Sequence, residues 1–317
     1  MSDSVRVVRV PTVADLEAAW KVISGHLAPT PLNTAYTDGP PIALKLESLQ
    51  PTGSFKVRGA LNALAAVPRD VPVITASSGN HGLGIAFAAG LTGRAATVVV
   101  SRNASPAKVS ALRASGIDLI QAGESFDDAE AYALRRAVEG AYYVSTYNDP
   151  YVIAGQATIG YELDEQLAGD VTVVCGVGGG GLAAGLGLWR SRRPNARVVA
   201  VEPEASTAMS TAVRTGRRVD VEVGDTLADG IAGNIEPGSV TIDLVAEHVD
   251  DLVTVTEAEI REAMRYLAAR RGVIAEGSGA VGVAALLAGK VPAQGTPVAV
   301  VTGRNIALPT LAGILAG

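Results

Sequence analysis

Lys56 stands in the run Ser54-Phe55-Lys56-Val57-Arg58-Gly59-Ala60, directly after Pro51-Thr52-Gly53. A lysine in so apolar a setting loses the water that stabilises its charge. Its pKa falls, and the neutral amine becomes a nucleophile or a Schiff-base partner. Alone, a lysine near a helix start is a solvated surface residue. Three further motifs change that reading. They are Ser77-Ser78-Gly79-Asn80-His81-Gly82, the run Gly178-Gly179-Gly180-Gly181, and Thr302-Gly303-Arg304-Asn305. A reactive amine, a phosphate cradle and a polar loop together describe a pocket for pyridoxal phosphate.

Each motif has its own chemistry and its own plainer alternative. Four glycines just after an apolar run, opening a helix, let consecutive backbone N–H groups turn toward one anion, and the helix dipole adds to the attraction. The plainer alternative is a tight strand-to-helix turn. A dinucleotide site is a third possibility, because Glu202 follows at about the 20 residues that such a fingerprint requires. That reading leaves Lys56 and the Ser-Ser-Gly-Asn loop unexplained. The 77–82 loop offers two hydroxyls, an amide, an imidazole and free helix N-terminal N–H groups, which suit a carboxylate or oxyanion. Alone it is an N-cap with a glycine turn. Thr302 ends an apolar run, and a strand-end residue in an open α/β sheet faces the ligand crevice.

The elements that must position these groups follow from periodicity. Strands are expected at 42–46, 73–76, 95–100, 117–121, 171–175, 198–201 and 297–301, several of them unbroken apolar runs suited to parallel strands buried on both faces. Helices are expected at 54–67, 81–91, 106–114, 127–139, 156–168, 182–192, 257–271 and 280–288. The helix at 257 has a clean start, with Thr256 as N-cap and Glu259 completing a capping box. This alternation argues an α/β protein with parallel sheets. Turn-rich segments at 68–72 and 147–150 bracket a smaller α/β domain, 69–147, inserted into a larger one made of 1–68 and 148–317.

Composition narrows the class. The chain has 317 residues, 48% of them hydrophobic, enough for one large or two moderate cores. No apolar run approaches the ~20 residues that span a bilayer, and the N-terminal stretch has no signal-peptide core, so no membrane role is expected. The single cysteine, Cys175, excludes an internal disulfide and fits a reducing cytoplasm. A net charge of −6 without long charge runs excludes a nucleic-acid partner, and three scattered histidines make no zinc site.

The motifs, taken in order, resemble the fold-type II family of pyridoxal-phosphate enzymes, in its serine/threonine dehydratase and serine racemase branch. The resemblance covers nearly the whole chain. It is carried by Leu44-Lys45-Leu46-Glu47, the Lys56 run, the 77–82 loop, Val152-Ile153-Ala154-Gly155-Gln156, the tetraglycine, Glu202-Pro203, Thr226-Leu227-Ala228-Asp229-Gly230 and Glu276-Gly277-Ser278-Gly279. It implies two open twisted parallel-sheet α/β domains with the cofactor in the cleft between them. It also implies β-elimination from a β-hydroxy amino acid such as L-threonine or L-serine, giving a 2-oxo acid and ammonia. An amino-acid racemase and a dehydratase of a less common substrate are the alternatives. A small amino-acid substrate, a cytoplasmic location and a homodimer are the expected setting.

By the same resemblance, Lys56 binds the cofactor aldehyde and Phe55 packs on its ring. Asn80 meets the phenolic oxygen, Gly178, Gly179, Gly180 and Gly181 hold the phosphate, and Thr302 sits at the pyridine nitrogen. Glu276 is counted among the cofactor contacts. Ser77, Asn80 and His81 receive the substrate carboxylate, Asn148 and Gly230 line the pocket, and Ser78 faces the cofactor opposite Lys56. Racemase-like relatives carry a divalent-metal site with an acidic residue six positions after the glutamate of Glu202-Pro203. Ala208 holds that position here, so no metal is expected. Arg304 replaces a glycine of the usual last motif and is expected to reach solvent or a carboxylate, unless it sets an unusual substrate preference. Biosynthetic threonine dehydratases add a regulatory domain, and none follows Gly317, so control through such a tail is not expected.

Overall fold

The computed structural model describes residues 6–35, 41–292 and 294–317; the first five residues of the N-terminal stretch lie outside it. In chain order the elements are α1 (Val13–Ser24), β1 (Leu32–Asn33), β2 (Ala43–Lys45), α2 (Lys56–Ala66), β3 (Val73–Ala76), α3 (Asn80–Thr92), β4 (Ala96–Val100), α4 (Pro106–Ala114), β5 (Asp118–Gln121), α5 (Phe126–Val138) and β6 (Tyr142–Tyr143). They continue with α6 (Pro150–Gln166), β7 (Val171–Gly176), α7 (Gly181–Arg190), β8 (Ala196–Pro203), α8 (Ala208–Thr215), α9 (Thr241–His248), β9 (Asp251–Val255), α10 (Glu257–Arg271), α11 (Gly277–Leu287), β10 (Thr296–Val300) and α12 (Leu308–Ala316).

Two sheets result. The larger has the order β1-β2-β10-β7-β8-β9 and is parallel except for β1; the smaller, β5-β4-β3-β6, is parallel throughout. Strand periodicity explains the layers, since alternate side chains point to opposite faces. Along β7, Val171, Val173 and Cys175 join a core with Leu186 and Trp189 of α7, whereas Val174 packs on the other side with Val281 and Ala284 of α11. In the small sheet, Val73, Val98 and Val100 meet α2 and α3, and Ile74, Ala76 and Val99 meet Ala129 and Ala133 of α5. Both faces of each sheet are therefore covered, as the unbroken apolar runs require.

Helix α2, which begins at Lys56, is wedged between α3 and α6. The contact with α6 is close because two glycines meet. A β-carbon built on Gly155 would fall 2.7 Å from Gly59 Cα, a separation that side chains do not adopt. Four buried charged groups fix α2 further. Arg58 donates to Glu47 through Nε at 2.8 Å and Nη2 at 2.7 Å, and Nη2 also lies 2.7 Å from Glu162 Oε1. Lys45 Nζ reaches the other Glu162 oxygen at 2.5 Å and the Thr30 carbonyl at 2.8 Å. Burial pushes the Glu47 carboxyl up, but Arg58 overrides it and holds the group below the usual carboxylate range. With two cations against two carboxylates and every oxygen bonded, the cluster balances its charge without water.

Several sequence boundaries shift. The helix expected at 54–67 starts at Lys56, because Ser54 pairs instead with Gly303 in an isolated β-bridge. The helix expected at 156–168 starts six residues earlier, where the Asp149 carboxylate accepts the N–H groups of Tyr151 and Val152 and Pro150 occupies the first turn. Helices α1, α8, α9 and α12 and strands β1, β6 and β9 were not anticipated.

Candidate active site

Lys56, the 77–82 loop, the tetraglycine and Thr302 each follow the carboxyl end of a parallel strand or open the next helix: β2 leads toward Lys56, β3 to Ser77, β7 to Gly178 and β10 to Thr302. Such ends form the ligand crevice of open α/β sheets. Lys56 is partly buried; its Nζ donates to the Thr146 carbonyl at 2.8 Å and lies 5.3 Å from the centre of the Phe55 ring. Burial lowers its pKa to about 8, with Glu276 opposing the shift. A substantial neutral fraction of the amine is thus present near neutrality, which a nucleophile needs.

The segment before Lys56 is fastened to the segment after β10. Phe55 N–H donates to the Thr302 carbonyl at 3.0 Å and Arg304 N–H to the Gly53 carbonyl at 2.9 Å. Asn305 Nδ2 donates to the Thr52 carbonyl at 2.8 Å and to Asn80 Oδ1 at 2.6 Å. Asn80 in turn donates to Glu276 Oε1 at 2.7 Å. Burial raises the Glu276 pKa to about 7, against the bond from Asn80. Arg304 takes neither expected course. Its guanidinium donates to the Ser48 carbonyl and so pins the turn that precedes Lys56. Thr302 is buried, and its hydroxyl lies 3.4 Å from the Ser278 carbonyl.

The tetraglycine forms a cradle. Among the described residues, the amides of Gly178, Gly179, Gly180 and Gly181 have no hydrogen-bond acceptor, and they stand at the N-terminus of α7. Gly180 has φ +89°, a left-handed conformation that other residues resist. A β-carbon on Gly178 would come within 2.6 Å of the Ile231 carbonyl oxygen, and one on Gly181 within 2.9 Å of Tyr147. Unspent donors at a helix end, with no room for side chains, fit a phosphate group.

The remaining expected residues divide. Ser78 and Asn80 are partly exposed in the loop, while Ser77 accepts the Gly79 N–H at 3.2 Å. His81 lies beneath them, 2% exposed, and burial together with the Lys56 charge lowers its pKa to about 3. It is therefore neutral at working pH. Gly230 is exposed, and a β-carbon there would lie 3.0 Å from Ser278 Oγ; its neighbour Asp229 pairs with Lys108 at 3.7 Å. Asn148 is held from several sides. It is fully buried, its amide bonds Glu236, its Oδ1 accepts the Val240 N–H at 3.1 Å, and its carbonyl accepts from Arg6. Tyr147 was missed. Its ring lies against Gly179, its backbone against Gly181, and its hydroxyl accepts the Glu236 N–H at 2.7 Å. No local pattern marks such a contact, which joins residues far apart in the chain.

Glu202 also has a settled role. Its carboxylate accepts the N–H groups of Met209 at 2.7 Å and Ser210 at 3.1 Å, closing the start of α8. Among the described residues no group of three or more metal-ligating side chains occurs.

Residues 23–303 match the sequence profile of the family described as pyridoxal-phosphate dependent enzyme. The chain belongs to this family. It is 42% identical over 307 residues to the L-threonine ammonia-lyase of Thermotoga maritima, covering 93% of this chain and 76% of that one. The crystal structure of a T.th. threonine deaminase is similar with a TM-score of 0.86 and 34% identity, covering 94% of this chain and 99% of that one. Maize serine racemase is similar with a TM-score of 0.88 and 30% identity, covering 97% and 98%. The fold is that of the fold-type II pyridoxal-phosphate enzymes, and the cofactor is pyridoxal phosphate; the dinucleotide reading of the tetraglycine falls away.

Proposed function

We propose that this pyridoxal-phosphate enzyme eliminates the β-hydroxyl of an amino acid such as L-threonine or L-serine, with a 2-oxo acid and ammonia as final products. The observation that carries the reading is Lys56: an amine with its pKa lowered to about 8, within electrostatic reach of the Glu276 carboxyl that accepts from Asn80, in a chain that also builds a cradle of glycine amides. Its support is the relationship to L-threonine ammonia-lyase. Bound, the cofactor supplies a conjugated ring that acidifies the α-hydrogen of an attached amino acid. Lys56 Nζ would hold the cofactor through its aldehyde and, once free, would accept the proton from the substrate Cα. Gly178, Gly179, Gly180 and Gly181 hold the phosphate, and Phe55, Asn80, Glu276 and Thr302 surround the ring. A hydroxyl such as Thr302, unlike a carboxylate, does not hold a pyridine nitrogen protonated, which favours prompt loss of the β-hydroxyl over transamination.

Ser77, Ser78, Asn80 and the α3 N-terminus receive the substrate carboxylate, with neutral His81 beneath them. Gly230 lies at the mouth. Residues 69–147 form the smaller domain, so that the cleft opens between the two sheets, and a cytoplasmic homodimer completes this reading. Serine racemisation is the second reading, supported by the likeness to maize serine racemase and by a partly exposed Ser78.

The test is Lys56→Ala, assayed for 2-oxo acid from L-threonine and L-serine and for the visible absorbance of bound cofactor. Both disappear on this reading. Full elimination by the variant removes Lys56 from its role. Inverted substrate in place of 2-oxo acid from the unaltered protein selects the racemase.

A further inference from the structure

The Gly179 carbonyl is bound from behind the cradle. Thr241, the first residue of α9, donates its hydroxyl to that carbonyl at 2.6 Å. Thr241 is fully buried, and its oxygen lies 2.7 Å from Ser239 Oγ. Because the Thr241 hydroxyl proton goes to Gly179, it accepts the proton of Ser239. A trans peptide directs its carbonyl and its N–H to opposite sides. Fixing the Gly179 carbonyl onto Thr241 therefore fixes the Gly180 N–H away from Thr241, among the four amides that lack an acceptor. Glycine has little conformational preference of its own, so a four-glycine loop needs an external hold to keep its donors aimed.

We propose that Thr241 is a positioning residue for the cofactor phosphate, holding the Gly179 carbonyl so that the Gly180 amide stays directed into the cradle. The proposal rests on the reading of residues 178–181 as the phosphate site. The segment around Thr241 holds the loop's other support as well: the N–H of Glu236 bonds the hydroxyl of Tyr147, whose ring backs Gly179. A threonine at this place has no contact with the reacting atoms. Its effect belongs to the phosphate end alone, and that makes it separable from general damage.

The experiment compares pyridoxal phosphate with pyridoxal, which lacks the phosphate. Protein freed of cofactor is titrated with each, following visible absorbance, and melting is followed in the same samples without cofactor. Thr241→Val keeps the shape and removes the hydroxyl. It is expected to weaken pyridoxal phosphate about tenfold, the worth of one buried hydrogen bond, and to leave pyridoxal unchanged. Thr241→Ser is expected to restore the affinity, and the phosphorus resonance of the bound cofactor should shift in the valine variant but not in the serine variant. If the valine variant does not fold, Thr241→Ala puts the same question. Unchanged affinity for pyridoxal phosphate, or an equal loss for both compounds, overturns the proposal. Gly180→Ala separates the two levels: if it too leaves pyridoxal phosphate affinity intact, the phosphate reading of the loop fails. If it weakens binding while the Thr241 variants do not, only the role of Thr241 fails.

Discussion

Asn80 and Glu276 are 196 residues apart in the chain, yet the amide of one donates to the carboxylate of the other at 2.7 Å beside Lys56. The bond ties the loop after β3 in the small sheet to the start of α11 on the large one. Since burial holds the Glu276 carboxyl up at about 7, its proton state is sensitive to pH in a range where ordinary glutamates are not.

That sensitivity has a measurable sign. Between the ordinary glutamate value of 4.5 and about 7, the folded protein keeps a proton on Glu276 that the unfolded chain has released. Stability from this group is full below 4.5 and is lost as pH rises through about 7. The span corresponds to about 3 kcal/mol at most. Glu276→Gln should flatten the dependence of denaturant stability on pH over this window in cofactor-free protein. Parallel curves for the two proteins would sink the assignment. Lys56 works the other way: its lowered pKa makes stability rise with pH between about 8 and the ordinary 10.5.

The buried quartet predicts a larger effect. Arg58→Leu leaves Glu47 without its main partner and takes one of two cations from Glu162. The expected cost is about 3–5 kcal/mol, read as a lower denaturation midpoint at unchanged slope. A loss below about 1 kcal/mol, as for an exposed pair, would mean that water reaches the cluster.

Divalent metal should matter little. Glu202 has both carboxylate oxygens on the amides of α8, and Ala208 brings no second acid. After chelation, added magnesium or calcium is expected to leave turnover and melting temperature almost unchanged. Several-fold activation at micromolar metal would show that other oxygens complete a site.

Ser78 bears on stereochemistry. On the proposed function Lys56 serves one face of the substrate, and a proton reaches the other only from a group on that side. Ser78→Ala should keep a substantial part of L-serine elimination and lose any D-serine formation. The ratio of D-serine to 2-oxo acid decides it, and racemisation surviving the change would assign that face to another group or to water.

Much of this was legible because its signals are local. Apolar runs such as Val171–Gly176 announce strands covered on both faces, and Thr256 with Glu259 announces the start of α10. Glycine runs mark places where side chains cannot go. Other features depend on contacts that no window of sequence contains. Lys45, Glu47 and Glu162 read as ordinary charges until the fold brings them onto Arg58. The partners of Asn148, Glu236 and Val240, lie far along the chain and no local pattern joins them to it. Arg304 looked free for the same reason: its acceptor is a backbone carbonyl 256 positions earlier. The early start of α6 has a local signal, Asp149-Pro150, a cap followed by a first-turn proline, which in sequence also reads as part of the turn at 147–150.

The fastening of residues 52–55 to residues 302–305 has a consequence for synthesis. Translation delivers the lysine early and its clasp late, and β2, beside it, pairs in parallel only with β10. A nascent chain on the ribosome thus carries Lys56, until residues 296–305 are made, without the strand or the turn that shape its surroundings. Competence to hold the cofactor arises after residue 305 leaves the exit tunnel, in one late step rather than by degrees.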